Sequence, residues 1–366
     1  MKKLLASLLS VFLTLAVLTG CSVQAPTAET APPADASDSK IAFITGISDI
    51  HDHGFNEACY EGVQQFSRQS GAFCKYFKPD SWDQDDILSS IQQAVDQDFD
   101  AVVMAGAAFA KPCLEAAKAN PGTLFLALAV TQADMEVAIL PANVSLLTFR
   151  NEQAGFLAGY AAVADGYKEL GFIGGMAESA VIRFGNGYIQ GAEKAAKDMG
   201  ISDVHIKHWY SGSFTPREGI REKAAAWYQE GTEVIFSCGG AIYESILEAA
   251  DAQDGLMIGV DVDQSELSPR IITSATKALT ESIVLALNEA AAAHMNWPSA
   301  YAGTCQILGV VENCVGLPME TSRFRQFDGE MYRLLEKALI HDSFNVDTNN
   351  DPNVHPKVSH VTVDWQ

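Results

Sequence analysis

Residues 101–106 read AVVMAG and residues 124–130 read LFLALAV. Each stretch is a short, continuous apolar run, and an amphipathic segment long enough for a helix separates the two. Runs of this kind are typical of strands buried on both faces of a parallel sheet, where helices cover those faces. The sequence therefore predicts an α/β architecture in this region.

The same alternation extends in both directions along the chain. An apolar run at 41–47, a helical pattern at 55–70 and a strand pattern at 73–77 come before it. From residue 144 the alternation starts again and continues to about residue 311. We expect two doubly wound units with about five strands each, and a hinged cleft where the carboxyl ends of their strands face each other.

The first residues predict export to the cell surface. Lys2 and Lys3 precede an apolar run from Leu4 to Leu18, a signal-peptide pattern that is shorter than the roughly 20 residues needed to cross a bilayer. Leu18-Thr19-Gly20-Cys21 resembles the bacterial lipobox, in which the cysteine becomes the lipidated N-terminus. We expect residues 1–20 to be a lipoprotein signal peptide and 21–39 a lipidated cysteine with a flexible tether. The protein would then be anchored on the extracytoplasmic face of the cell membrane.

The charge composition limits the classes of partner that the protein is expected to bind. The chain has 24 Lys and Arg against 46 Asp and Glu, a formal charge of −22. A field of this sign repels phosphate backbones, so nucleic acid is not an expected partner and a neutral or cationic small molecule is favoured. We expect a monomer.

Cysteine spacing and sequence motifs give no sign of a catalytic centre. The cysteines other than Cys21 lack metal-binding spacing, and buried thiols are expected, although export leaves disulfides open. No dinucleotide-binding, P-loop, serine-hydrolase or zinc-protease motif occurs, so we predict no cofactor, no metal and no catalytic residue.

Five segments, in order along the chain, resemble the basic membrane protein (BMP) or PnrA-like family. Its members are lipoprotein substrate-binding components of ABC transporters. The segments are Asp52-His53-Gly54-Phe55-Asn56, the helix start Asn151–Gly159, the block Leu170–Phe184, Ile258-Gly259-Val260-Asp261-Val262-Asp263-Gln264, and Thr273–Lys277. The resemblance implies a type I periplasmic-binding fold, with one lobe of residues 40–148 plus about 274–304 and another of 149–273 plus about 305–366. It also implies capture of a nucleoside, most often a purine nucleoside, for an ABC permease and ATPase.

Aromatic and amide side chains in these segments are candidates for binding a flat ring. Phe55 begins the first helix at the expected cleft, and Phe214 follows a strand of the second unit. Either ring could stack on a base, and Phe109 is a further candidate. Asn56 offers both a donor and an acceptor, and Asp52 would lie in the cleft or organise its loop.

Charged residues and glycines at strand ends complete the predicted ligand-binding set. Asp261 ends an apolar strand, where its carboxylate could accept hydrogen bonds from a ribose diol. Lys277 would contact a sugar hydroxyl or pair with Asp261. Gly239 and Gly240 would allow close approach of a ligand to the backbone, whereas Arg183 is expected to form a structural ion pair.

Two positions depart from the family pattern. Gly46 stands where the family has an Asp at the end of its first strand, and Leu128-Ala129 stand where it has Ile-Asp. The sugar end of the site is therefore expected to be kept and the base end altered.

Two other functions stay open at this point, which are a sugar or signal-molecule receptor feeding a sensor and an exported nucleoside hydrolase.

Overall fold

The computed structural model describes residues 34–47, 50–341, 343 and 345–366. The predicted signal peptide, the lipidation site Cys21 and most of the predicted tether lie outside the described residues. The last part of the predicted tether packs against the folded chain, because Ala36 is buried and its N–H donates to the carbonyl of Ser70. The tether prediction is therefore wrong for the residues just before the first strand.

Strands and helices alternate along most of the described chain. The strands are β1 Lys40–Ile44, β2 Phe73–Phe77, β3 Ala101–Ala105, β4 Leu124–Leu128, β5 Val144–Phe149, β6 Glu169–Gly174, β7 Val204–Tyr210, β8 Val234–Cys238, β9 Leu256–Asp261, β10 Ile271–Lys277, β11 Thr304–Leu308, β12 Val315–Gly316 and β13 Val361–Trp365. The helices are α1 Phe55–Ser70, α2 Gln84–Val95, α3 Ala110–Ala119, α4 Asn151–Ala164, α5 Ser179–Met199, α6 Glu218–Gln229, α7 Tyr243–Gln253, α8 Leu279–Ala292 and α9 Gly329–Ile340.

The strands form two sheets. The first has the order β11-β5-β4-β3-β1-β2, and the second has the order β12-β10-β9-β8-β6-β7-β13. Neighbouring strands run parallel except β12, which is antiparallel to β10. The α/β class and the two doubly wound parallel sheets are confirmed, with six and seven strands where about five were expected. We call the first sheet with α1–α3 and α8 the first lobe, and the second sheet with α4–α7 and α9 the second lobe.

The chain passes between the lobes at three places, next to residue 150, next to residue 278 and between β11 and β12. Two predicted boundaries are displaced. The strand β10 pairs with β9 as far as Thr276, so the second lobe extends to Lys277 rather than ending near 273. The strand β11 pairs with β5 from Thr304 to Leu308, so it belongs to the first lobe.

Helices α4 and α5 pack backbone against backbone. Every residue of α4 except Tyr160 is buried. Gly155 and Gly159 of α4 lie directly on the carbonyl groups of Phe184 and Tyr188, where a Cβ atom would collide with the carbonyl oxygen. Gly187 and Gly191 of α5 lie in the same way on α4. The pair of helices therefore depends on glycine at all four positions.

The second lobe encloses one histidine. His208 in β7 is 1% exposed, and its ring stacks on Phe172 at a centroid distance of 4.6 Å. Trp365 in β13 lies on the same ring at 4.4 Å. Burial, with a smaller contribution from the charge of His355, lowers the pKa of His208 to about 3. The ring is therefore neutral in the folded protein at neutral pH.

All six described cysteines are free thiols. Cys59, Cys113 and Cys238 are buried, and the others are partly buried. Burial raises the pKa of the Cys113 thiol to about 12. The expectation of buried thiols is confirmed for half of this set, and the thiolate form is suppressed there.

The contact between α4 and α5 predicts that one added methyl group lowers the stability of the protein. We expect Gly159→Ala to lower the free energy of unfolding by roughly 1–3 kcal/mol, because the new Cβ forces α4 and α5 apart. Urea unfolding monitored by circular dichroism measures this change. The matched control is Gly219→Ala in α6, where a Cβ meets no atom within 4 Å. Equal stability of the two variants would contradict the proposed role of the helix contact.

The buried histidine predicts a pH dependence of stability. Unfolding exposes His208, which then takes up a proton below its ordinary pKa of about 6.5. Because the pKa of His208 is lower in the folded protein, this group leaves the free energy of unfolding at its full value above pH 6.5. The free energy of unfolding then decreases as the pH falls, by about 2 kcal/mol at pH 5. Urea unfolding at pH 7.5 and pH 5.0 should show a smaller difference for His208→Gln than for the wild type. The exposed His341→Gln variant should keep the wild-type difference.

Candidate functional site

A cavity lies between the lobes, at the carboxyl ends of the strands of both sheets. Residues after β3, β4 and β5 line it from the first lobe, and residues after β6, β8 and β9 line it from the second. Most of the predicted ligand-binding residues lie in its wall, namely Phe55, Asn56, Phe214, Gly239, Gly240, Asp261 and Lys277. Asp52 and Phe109 are not part of the wall.

An ion pair forms one end of the cavity. Nζ of Lys277 lies 2.7 Å from Oδ1 of Asp261, and both side chains are more than nine-tenths buried. The two residues end neighbouring strands, where β10 pairs with β9. Asp261 has a φ of 70°, in the left-handed region that few residues other than glycine adopt. The charges offset each other, so this end is polar and carries little net charge.

The loop after β9 is shaped by one glutamine. Oε1 of Gln264 accepts from the N–H of Val260, and Nε2 donates to the carbonyl of His53 in the first lobe at 3.1 Å. Gly259 makes room for this side chain, since a Cβ there would lie 2.5 Å from Oε1. Gln264 therefore joins the two lobes beside the cavity.

Aromatic rings line a large part of the cavity. Phe55 and Phe184 lie near Lys277, whose Nζ is 4.9 Å and 5.2 Å from their ring centroids. Phe214 comes from the second lobe and packs on Gly175 and Gly239, where a Cβ would meet its ring. Both glycines therefore make space for an aromatic side chain, and Gly239 also lines the cavity.

Asn56 is held in place by the first-lobe backbone and by Asp52. Its Oδ1 accepts from the N–H of Gly46 at 3.1 Å, and its Nδ2 donates to Oδ2 of Asp52 at 2.8 Å. The Asp52 carboxylate also accepts from the N–H groups of Gly54, Asn56 and Glu57. Burial raises the pKa of Asp52 against these hydrogen bonds. Asp52 thus caps α1 and positions Asn56, which matches the second of its two predicted roles, and it does not line the cavity.

The prediction that Phe109 lines the cavity is also corrected. Its side chain is fully buried in the core of the first lobe, because the short helical turn after β3 directs it behind the cavity. Its ring meets that of Trp82 edge to face at 6.3 Å. Trp82 itself lines the cavity, so Phe109 supports the aromatic residue that the sequence analysis did not identify.

The two predicted departures from the family pattern have different surroundings, with Gly46 next to Trp82 and Ala129 in the cavity wall. A Cβ on Gly46 would lie 2.9 Å from Cη2 of Trp82, so the indole occupies the space of a side chain at that position. Ala129 lines the cavity with a methyl group, and Leu128 is buried in the core. Asp134 and Glu178 line the cavity and were not predicted.

Besides Oδ1 of Asp261, which has only its ion pair with Lys277, two buried polar atoms in the cavity wall have no hydrogen-bond partner among the described residues. They are Oδ1 of Asn151 and Nε of Arg183. Arg183 also forms the expected ion pair, with its Nη2 2.5 Å from Oε2 of the buried Glu152. Unpaired buried polar atoms are rare in folded proteins, and these two are suited to a polar ligand.

The cavity-wall residues that were not predicted share one feature, which is that each follows a parallel strand. Trp82 comes shortly after β2, Asp134 after β4, Asn151 after β5 and Glu178 after β6. Their position after parallel strands is a signal that the sequence contains. It does not show which residue of each loop faces the cavity.

The described part of the chain contains no group of three or more His, Cys, Asp or Glu residues arranged to hold a metal ion. Within the same residues, none of the helices has the length and apolar character needed to span a bilayer.

The family profile described as ABC transporter substrate-binding protein PnrA-like matches residues 39–343. The chain is 30% identical over 244 residues to the ABC transporter nucleoside-binding protein BmpA of Lactococcus lactis subsp. cremoris, covering 63% of this chain and 66% of that protein. It is 32% identical over 216 residues to basic membrane protein B of Borreliella burgdorferi, covering 58% and 59%. These alignments span less than two thirds of either relative.

Solved structures show the same fold. The ABC transporter solute-binding protein of Aeropyrum pernix K1 superposes with a TM-score of 0.73 at 19% identity, over 86% of this chain and 95% of that one. The solute-binding protein of Conexibacter woesei superposes with a TM-score of 0.68 at 20% identity, over 85% and 99%. The type I periplasmic-binding fold is confirmed. Because the profile covers most of the chain, the protein belongs to the PnrA-like family of ABC transporter substrate-binding proteins.

Proposed function

We propose that the protein captures a nucleoside-like small molecule between its lobes and delivers it, chemically unchanged, to an ABC permease and its ATPase. The observation that carries the proposal is the composition of the cavity wall, which combines aromatic rings with a polar end. A nucleoside has the same two parts, a flat base and a sugar with hydroxyl groups.

The aromatic part suits the base. Phe55 from the first lobe and Phe214 from the second can each offer a ring face, and stacking contributes about 1–3 kcal/mol per base. Trp82 adds a third aromatic ring to the wall. Closure of the lobes around a stacked base would remove these rings from water.

The polar end suits the sugar. The Asp261 carboxylate keeps acceptor capacity beyond its ion pair with Lys277, so it can accept hydrogen bonds from two adjacent hydroxyl groups. Oδ1 of Asn151 and Nε of Arg183 provide a further acceptor and donor. A sugar would satisfy polar atoms that are otherwise buried without partners.

The family supports the transport role. One relative carries the name ABC transporter nucleoside-binding protein, and the family consists of substrate-binding proteins. This favours delivery to a permease over a sensor receptor or a nucleoside hydrolase. We further propose that the mature protein is a monomer, held on the extracytoplasmic membrane face by a lipid on Cys21.

Loss of a stacking ring should weaken binding. We expect Phe214→Ala to reduce nucleoside affinity by roughly 10- to 100-fold, because the base loses one aromatic face. Isothermal titration calorimetry with adenosine, guanosine and cytidine measures the change. Phe73→Ala, at an exposed ring in β2, is the matched control and should bind like the wild type. Wild-type affinity of the Phe214→Ala variant would contradict the stacking role.

Asp261 is expected to recognise the two adjacent hydroxyl groups of a ribose. We expect the wild type to bind adenosine about tenfold or more tightly than 2′,3′-dideoxyadenosine, because the carboxylate loses its hydroxyl partners with the latter. Asp261→Asn should reduce this ratio towards one while keeping an acceptor for Lys277. Asp263→Asn is the control, since that carboxylate bonds Thr321 and the N–H of Ser265 outside the cavity. A ratio that survives Asp261→Asn would place the sugar elsewhere.

A further inference from the structure

Two carboxylates approach the cavity from opposite lobes. Asp134 lies in the loop after β4 of the first lobe, and Glu178 lies between β6 and α5 of the second. Both line the cavity together with Trp82 and Ala129. Asp134 follows Ala129, one of the positions that depart from the predicted family pattern, in the same loop.

The loop backbone orients Asp134. Its Oδ2 accepts from the N–H and the hydroxyl group of Thr131, both at 2.7 Å. No hydrogen bond from the described residues reaches its Oδ1. One oxygen thus fixes the side chain, and the other retains its acceptor capacity.

Glu178 is placed at the start of α5 but does not cap it. Its backbone is extended, and its side chain accepts no hydrogen bond from the first turn of the helix. It forms no ion pair with any described residue. Burial raises the pKa of Glu178, and the nearby charge of Asp134 raises it further. The two carboxylates thus bring like charges into one cavity from opposite lobes.

The basic residues of the cavity wall are already paired. Lys277 forms an ion pair with Asp261, and Arg183 forms one with Glu152. Within the described chain, neither Asp134 nor Glu178 has a cation as a partner. The polar groups that satisfy them must come from water or from the ligand.

An exocyclic amino group matches this arrangement, because its two N–H bonds diverge and each can donate to one carboxylate. A carbonyl oxygen in the same place would face two acceptors and would be repelled. Resting on the proposed nucleoside-binding function, we infer that Asp134 and Glu178 select ligands whose planar ring carries an exocyclic amino group. A ligand of this class also joins the two lobes, because its amino group bonds both of them.

Matched nucleosides test the inference by calorimetry. Adenosine and inosine differ in an amino or oxo group at one ring position, and so do cytidine and uridine. We expect the wild type to bind the amino member of each pair about tenfold or more tightly. Asp134→Asn and Glu178→Gln should each reduce the ratio to about threefold or less, with inosine gaining affinity because the new amide can donate to its oxo group.

The control variant is Glu136→Gln. It removes one negative charge two residues from Asp134, at an exposed side chain that pairs with Lys111. Its amino-to-oxo ratio should equal that of the wild type. A structural disturbance of the loop would instead weaken all nucleosides in parallel and leave the ratio unchanged.

Three results would overturn the inference. One is equal affinity of the wild type for both members of each pair, and another is a ratio unaffected by either carboxylate variant. The third is discrimination that requires an added divalent cation. Binding of nucleosides without an amino preference leaves the proposed function intact, whereas failure to bind any nucleoside removes both.

Discussion

The direct backbone contact between α4 and α5 is the constraint on which the cavity depends. Four glycines bring the helices together, and each helix begins at the cavity with residues of its wall. Asn151 starts α4, while Arg183 lies in the first turns of α5. The ion pair between Arg183 and the buried Glu152 spans the same contact at 2.5 Å. A small change in the distance between the helices would therefore move polar groups of the site.

Charge is distributed unevenly along the cavity. At one end Asp261 and Lys277 neutralise each other, and the cost of burying each charge is reduced by the other. Elsewhere in the wall the charges of Asp134 and Glu178 oppose each other, and Trp82 fills the space that a side chain at Gly46 would need. The first arrangement tolerates an empty site, whereas the second is satisfied only when donors lie between the lobes.

The sequence was sufficient for the architecture because apolar periodicity reports burial. Helix α1 and strand β2 occur at the predicted residues, and the ion pair of Asp261 with Lys277 was among the predicted alternatives. Side-chain direction within loops was not predictable. Phe109 and Asp52 point into the core and the helix start, while Trp82 and Glu178 reach the cavity, and these directions depend on tertiary packing that no periodic pattern records.

The thiols have a consequence for biogenesis. Cys59, Cys113 and Cys238 come from distant parts of the sequence and are shielded by packing within the folded chain. An oxidising compartment could cross-link the nascent polypeptide before that shielding is complete. Rapid compaction would then keep the thiols free in a chain that folds in such a compartment.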